Sequence, residues 1–127
     1  MQQSTKKRPK NLNLFTIRLP INAVVSILHR ASGMALFLVL PALLWALNAL
    51  VQSEQSYVQL SLILQHWLVK LFLIALSWAF FHHFYAGLRH LAMDVHWMTS
   101  LQKARLSSRM VLVLVVLTVV LFAAWIW

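Results

Sequence analysis

Between Arg30 and Glu54 the chain runs for 23 residues without a formal charge. A helix needs roughly 20 apolar residues to cross the ~30 Å hydrocarbon core of a bilayer, so this run alone selects a membrane-spanning fold. Composition agrees. Of the 127 residues 61% are hydrophobic and only 10% are charged, against about 25% charged in an ordinary soluble domain. Length permits one domain, and the expected class is all-α integral membrane.

The remaining charges divide the chain. Residues 1–20 read as a basic cytoplasmic arm with Pro9 and Pro20 as breakers, whose apolar run comes too late and is too long for a secretory signal. Helix I is expected over about 21–51, kinked at Pro41. Gln52–Gln59 reads as an external loop. Helix II is expected over about 60–92, with Lys70 snorkelling outward along its stem, and helix III over about 108–127. Residues 21–127 thus form a three-span membrane domain. Of the eleven Lys and Arg residues, six precede or open helix I, four lie between helices II and III, and one is Lys70. Basic residues accumulate on the cytoplasmic side, so the N-terminus is expected inside and the C-terminus outside. The net charge of +9 brackets apolar runs and forms no basic face on a soluble module, which excludes a nucleic-acid partner. There is no cysteine, so a redox centre on this chain needs histidine or methionine ligands.

Ionisable groups inside a span are costly and mark functional candidates. Helix I carries Ser26, His29 and Arg30 near its cytoplasmic end, and helix II carries His82, His83, Arg89, His90 and Asp94 near its own. Helical spacing aligns His83, Gly87, His90 and Asp94 on one face and Ser26, Arg30, Gly33 and Phe37 on another. A buried neutral histidine is a haem ligand, and Arg30, His29 and His90 are then placed to donate to propionates. The same residues fit a second reading, in which the histidines hydrogen-bond a neighbouring helix and the glycines allow close packing. The histidine pair leaves both His82 and His83 as ligands, although only His83 shares its face with Gly87 and His90.

Two stretches carry a resemblance. Ser26-Ile27-Leu28-His29-Arg30-Ala31-Ser32-Gly33, preceded by Arg8-Pro9 and Leu14, resembles the first signature of the cytochrome b556 subunits of succinate dehydrogenase. His83-x-x-x-Gly87-Leu88-Arg89-His90-Leu91-x-Met93-Asp94 resembles the second. Lys10 and His96 depart from the pattern, standing where an apolar and a small residue are usual.

The resemblance implies the larger of two hydrophobic anchors in a bacterial inner membrane, holding a flavoprotein and an iron–sulfur subunit. It implies one haem b shared with the smaller anchor, which completes the helix bundle and supplies the second axial histidine. His83 matches the axial ligand of this subunit. Ser26 and Arg30 match residues that bind ubiquinone, and Asp94 is a candidate proton relay. Succinate oxidation belongs to the flavoprotein, so no succinate-oxidising site is expected on this chain. The competing readings are an anchor of a fumarate reductase or another haem b quinone oxidoreductase, and a small proton-coupled transporter.

Overall fold

The computed structural model describes Asn13 and residues 16–127; most of the expected basic arm, with Arg8, Pro9, Lys10 and Leu14, lies outside the described residues. Four helices follow in order: α1 (Ile21–Gln52), α2 (Glu54–Gln65), α3 (Trp67–Asp94) and α4 (Leu101–Ile126). No strand occurs among the described residues. α1, α3 and α4 are long and apolar enough to cross a membrane. At 1.5 Å per residue even α4, with 26 residues, spans about 39 Å, more than the hydrocarbon core. α1 continues through Pro41 without interruption.

Three expectations need correction. The stretch Gln52–Gln59 is not a loop, and the second span does not begin near residue 60. Ser53 caps a separate helix, its side chain accepting from the Ser56 N–H at 3.1 Å, and Glu54 places a negative charge in the first turn, where the helix dipole favours it. α2 then ends at His66, whose backbone is extended (φ −67°, ψ 133°). The His66 Nδ1 accepts from the Leu68 N–H at 3.3 Å and so caps α3. Lys70 therefore sits in the first turn of α3. Its ammonium donates to the Trp127 carbonyl at 3.4 Å and lies 5.5 Å from that indole's centroid. The third span also starts earlier than residue 108, because Ser100 caps α4 by accepting from Lys103 N–H.

The turn Val95–Ser100 between α3 and α4 holds two residues in the left-handed region, His96 (φ 62°) and Met98 (φ 68°). This region disfavours side chains other than glycine, which gives a backbone reason for a small residue at position 96.

The three spans pack through a narrow apolar core of Val25, Ala86, Val111 and Val115, leaving residues such as Phe37, Leu38 and Leu121 exposed for lipid. Polar bonds reinforce one end. Asn22 of α1 accepts from Ser108 of α4 at 2.8 Å. The Arg89 guanidinium, buried on α3, donates to Ser107 Oγ at 3.0 Å and to the Ala104 carbonyl at 3.4 Å. Removing these partners would leave a charge buried without compensation. Every interhelical side-chain hydrogen bond among the described residues lies at this end, except the Lys70 contact.

Candidate functional site

Two adjacent rows of α3 have different fates. Ala79, His82, Ala86 and Arg89 are buried within the chain. One residue further round, about 100° on the helix, His83, Gly87 and His90 are half-buried and Asp94 is exposed. The first row is used up by packing against α1 and α4. The second row remains at the edge of the three-helix unit.

His82 is fully buried, stacked on Trp78 at 5.4 Å between ring centroids. Its Nε2 lies 3.3 Å from the Val25 carbonyl. A carbonyl only accepts, so Nε2 carries the proton and Nδ1 is the bare nitrogen. That Nδ1 is buried with no partner and has no opening toward a bound group.

His83 is held the other way round. Its Nδ1 lies 3.1 Å from the His29 carbonyl, so Nδ1 is the donor and Nε2 keeps its in-plane lone pair. Nε2 makes no hydrogen bond among the described residues. A metal-bound histidine characteristically donates its second N–H to a carbonyl or carboxylate, which sets the tautomer and ring orientation. The His29 ring stacks on His83 at 4.3 Å with planes 10° apart, an arrangement that leaves the in-plane lone pair clear. The donor set therefore fits a haem iron at His83 and not at His82. Both histidines also form the helix–helix hydrogen bonds of the alternative reading, but only His83 has a nitrogen to spare.

The glycines are reciprocal. Gly33 of α1 lies under His83 of α3: a Cβ there would meet the His83 Cε1 at 2.7 Å and Nδ1 at 3.0 Å. Gly87 of α3 faces His29 of α1, where a Cβ would sit 3.5 Å from Nε2, an ordinary contact. The close approach of the helices thus requires a glycine at position 33 and does not require one at position 87. Gly33→Ala is expected to push the His83 ring off its carbonyl, while Gly87→Ala is expected to be tolerated. Electron paramagnetic resonance of the assembled complex checks this: altered haem g-values for the first variant and near-native values for the second.

His90 completes a three-imidazole cluster, its ring 5.1 Å from His29. On α1 the row facing α3 is Val25, His29 and Gly33, whereas Ser26 and Arg30 flank it and Phe37 points away, 74% exposed. Ser26 is half-buried and Arg30 exposed. Asp94, also exposed, makes no hydrogen bond or ion pair among the described residues.

Ser26 is nevertheless distinctive. The other serine and threonine hydroxyls within the long helices bond the carbonyl three or four residues back, as Ser32, Ser77, Ser107, Ser108 and Thr118 do, the usual fate of such a mid-helix hydroxyl. Ser26 has no such bond, so its hydroxyl is available to a ligand.

Two contributors escape a reading by spacing. Ser32, 1% exposed, donates to the His29 carbonyl at 2.9 Å and so shares the acceptor that orients His83. Arg89 joins α3 to α4 through Ser107. The signal for Arg89 was the Ser107-Ser108 pair at matching depth on α4; for Ser32 it was the three-residue offset from His29.

Comparison with known proteins identifies the family. A family model for the succinate dehydrogenase/fumarate reductase transmembrane subunit matches residues 4–122. The succinate dehydrogenase cytochrome b556 subunit of Coxiella burnetii is 40% identical over 123 residues, covering 95% of this chain and 98% of that one. The protein of the same name from Paracoccus denitrificans is 34% identical over 119 residues, 91% of this chain and 92% of that one. A multi-pass membrane protein in architecture, the chain belongs to the succinate dehydrogenase/fumarate reductase transmembrane subunit family.

Proposed function

We propose that the chain is the haem b- and quinone-binding anchor of a succinate dehydrogenase complex, carrying electrons toward ubiquinone and carrying no succinate-oxidising site itself. The single observation behind this reading is His83: Nδ1–H on the His29 carbonyl, Nε2 unpaired, on the face the chain leaves uncovered. Its relatives' name, cytochrome b556 subunit of succinate dehydrogenase, supports the same reading.

Haem b, when bound, supplies a one-electron redox centre at the membrane boundary. His83 would hold the iron through Nε2, and a smaller anchor subunit packed on the His83–His90 face would hold it from the second chain with a histidine of its own. His29, His90 and Arg30 serve as donors to the propionates, and Gly33 keeps the His83 ring seated. Ser26 and Arg30 hydrogen-bond a ubiquinone carbonyl, whose growing negative charge on reduction strengthens both bonds. Exposed Asp94 hands protons to the reduced oxygen. An iron–sulfur subunit delivers the electrons, with the flavoprotein beyond it.

The purified complex is expected to show a Soret band that sharpens on reduction. An intact, quinone-reducing complex without that band overturns the haem assignment.

The membrane is the bacterial inner membrane, with the N-terminus in the cytoplasm and the C-terminus in the periplasm. This rests on the placement of basic residues, ten of eleven at the ends of spans that share one side. Fusions to a reporter active only in the periplasm are expected to work at Trp127 and fail at the N-terminus; the reverse pattern inverts the topology.

A further inference from the structure

α1 offers two backbone carbonyls to the histidines of α3, Val25 to His82 and His29 to His83. Only one of them carries a hydroxyl as well. Three residues beyond Val25 stands Leu28, which has none. Three residues beyond His29 stands Ser32, whose Oγ donates to the His29 oxygen at 2.9 Å. Ser32 is 1% exposed, so solvent does not compete for that proton and the hydroxyl stays on the carbonyl. The helical N–H of Gly33 points at the same oxygen. A carbonyl oxygen has two lone pairs, and three donors converge on this one.

We propose that Ser32 is a positioning residue that raises the redox potential of the haem, by taking up part of the acceptor strength that His29 offers to His83. The proposal rests on the haem assignment of His83 made above. Each donor draws electron density from a shared oxygen, so the hydroxyl at 2.9 Å weakens the bond from His83 Nδ1–H at 3.1 Å. That bond governs how electron-rich the imidazole is, because a strong acceptor on the second N–H makes the ring a better donor to a metal. Ferric iron carries one more positive charge than ferrous iron, so a richer ligand favours the oxidised form and lowers the potential. A loaded carbonyl does the reverse. Hydrogen bonding behind an axial ligand is one of the levers a protein has on haem potential. Seating the ring is not the hydroxyl's task, since the missing Cβ at Gly33 already makes room for it.

Potentiometry on the purified, assembled complex tests this, with the haem band as the signal. Ser32→Ala removes the hydroxyl and leaves no group newly unsatisfied, since the His29 carbonyl keeps His83 and its helical N–H. A whole hydrogen bond is worth about fivefold in an equilibrium, and here one bond is strengthened only in part. The ferric-to-ferrous ratio of Ser32→Ala at a fixed poise is therefore expected about threefold above that of the unaltered complex, a negative shift of about 30 mV at ~59 mV per tenfold for one electron. Ser32→Thr keeps an oxygen that can reach the same carbonyl and is expected to hold the unaltered potential. Ser32→Cys, a weaker donor, is expected to fall between. A hydroxyl serving only its own hydrogen bond would change the melting temperature and leave the potential in place.

An unchanged potential or a positive shift in Ser32→Ala with the haem bound overturns the proposal, as does a Ser32→Thr potential that follows Ser32→Ala. Failure of both Ser32→Ala and Ser32→Cys to assemble overturns it too, because the hydroxyl is then needed for the fold itself. An unaltered complex that never carries the haem band sinks the assignment of His83 instead, so the two failures are told apart.

Discussion

His83→Leu is expected to remove the low-spin haem signature of the assembled complex, whereas His82→Leu is expected to keep it. The two residues are neighbours in sequence, so a general disturbance of α3 would affect both variants alike. Their surroundings differ. His83 holds Nδ1–H on the His29 carbonyl and presents Nε2 at a half-buried edge. His82 is sealed inside, Nε2–H on Val25 and Nδ1 orphaned. Leucine at position 82 loses one hydrogen bond, worth about 1 kcal/mol, but also removes a buried unsatisfied acceptor that costs about 1–3 kcal/mol. The complex should therefore assemble with little loss of stability. On the proposed assignment, leucine at position 83 would leave the iron without its ligand from this chain, and optical and paramagnetic spectra read the change directly. Normal spectra for His83→Leu together with loss for His82→Leu would reverse the assignment.

Ser26→Ala should slow ubiquinone reduction about a hundredfold while succinate oxidation by an artificial acceptor, which takes electrons upstream, stays near normal. Removing one preorganised donor to developing negative charge costs about 3 kcal/mol. The hydroxyl of Ser26 makes no bond to its own helix, so its removal leaves no backbone group newly unsatisfied and should not disturb folding. Arg30→Leu is the less clean probe, because Arg30 is also proposed to meet a propionate. Unchanged quinone reduction and unchanged binding of quinone-site inhibitors in Ser26→Ala would place the site elsewhere.

The three spans were legible because charge is nearly forbidden in hydrocarbon, and the gaps between charges mark them without any knowledge of packing. α2 was not. Its start signal, Ser53 followed by Glu54 and Ser56, lies in plain view, but a short polar segment between two spans looks like a loop when only charge is counted. The break at His66 involves neither glycine nor proline, and the histidine ring supplies the cap.

The site shows a similar division. His83, His90, His29 and both glycines were visible from spacing. The orientation of α1 was not, because Gly33 belongs both to the row Ser26–Arg30–Gly33 and to the row Val25–His29–Gly33. A helix that is apolar all round gives no hydrophobic face to choose between them. The choice is made by contact: His83 needs a carbonyl and a missing Cβ on the opposite helix, and His29 with Gly33 supplies both. The same packing buries His82 and leaves His83 at the edge, on the face of α3 that the spacing already gave to His83, Gly87 and His90.

The bond from His83 to the His29 carbonyl has a bearing on the order of events during biogenesis. Both partners belong to one polypeptide, so the imidazole is aimed as soon as the first two long spans meet, before a neighbouring subunit is present. Side-chain freedom worth about 0.5–1.5 kcal/mol, otherwise lost on binding, is then already surrendered in the newly inserted chain. On the proposed assignment, the ligand on this chain would be ready early, and what remained to be timed would be the arrival of the second chain.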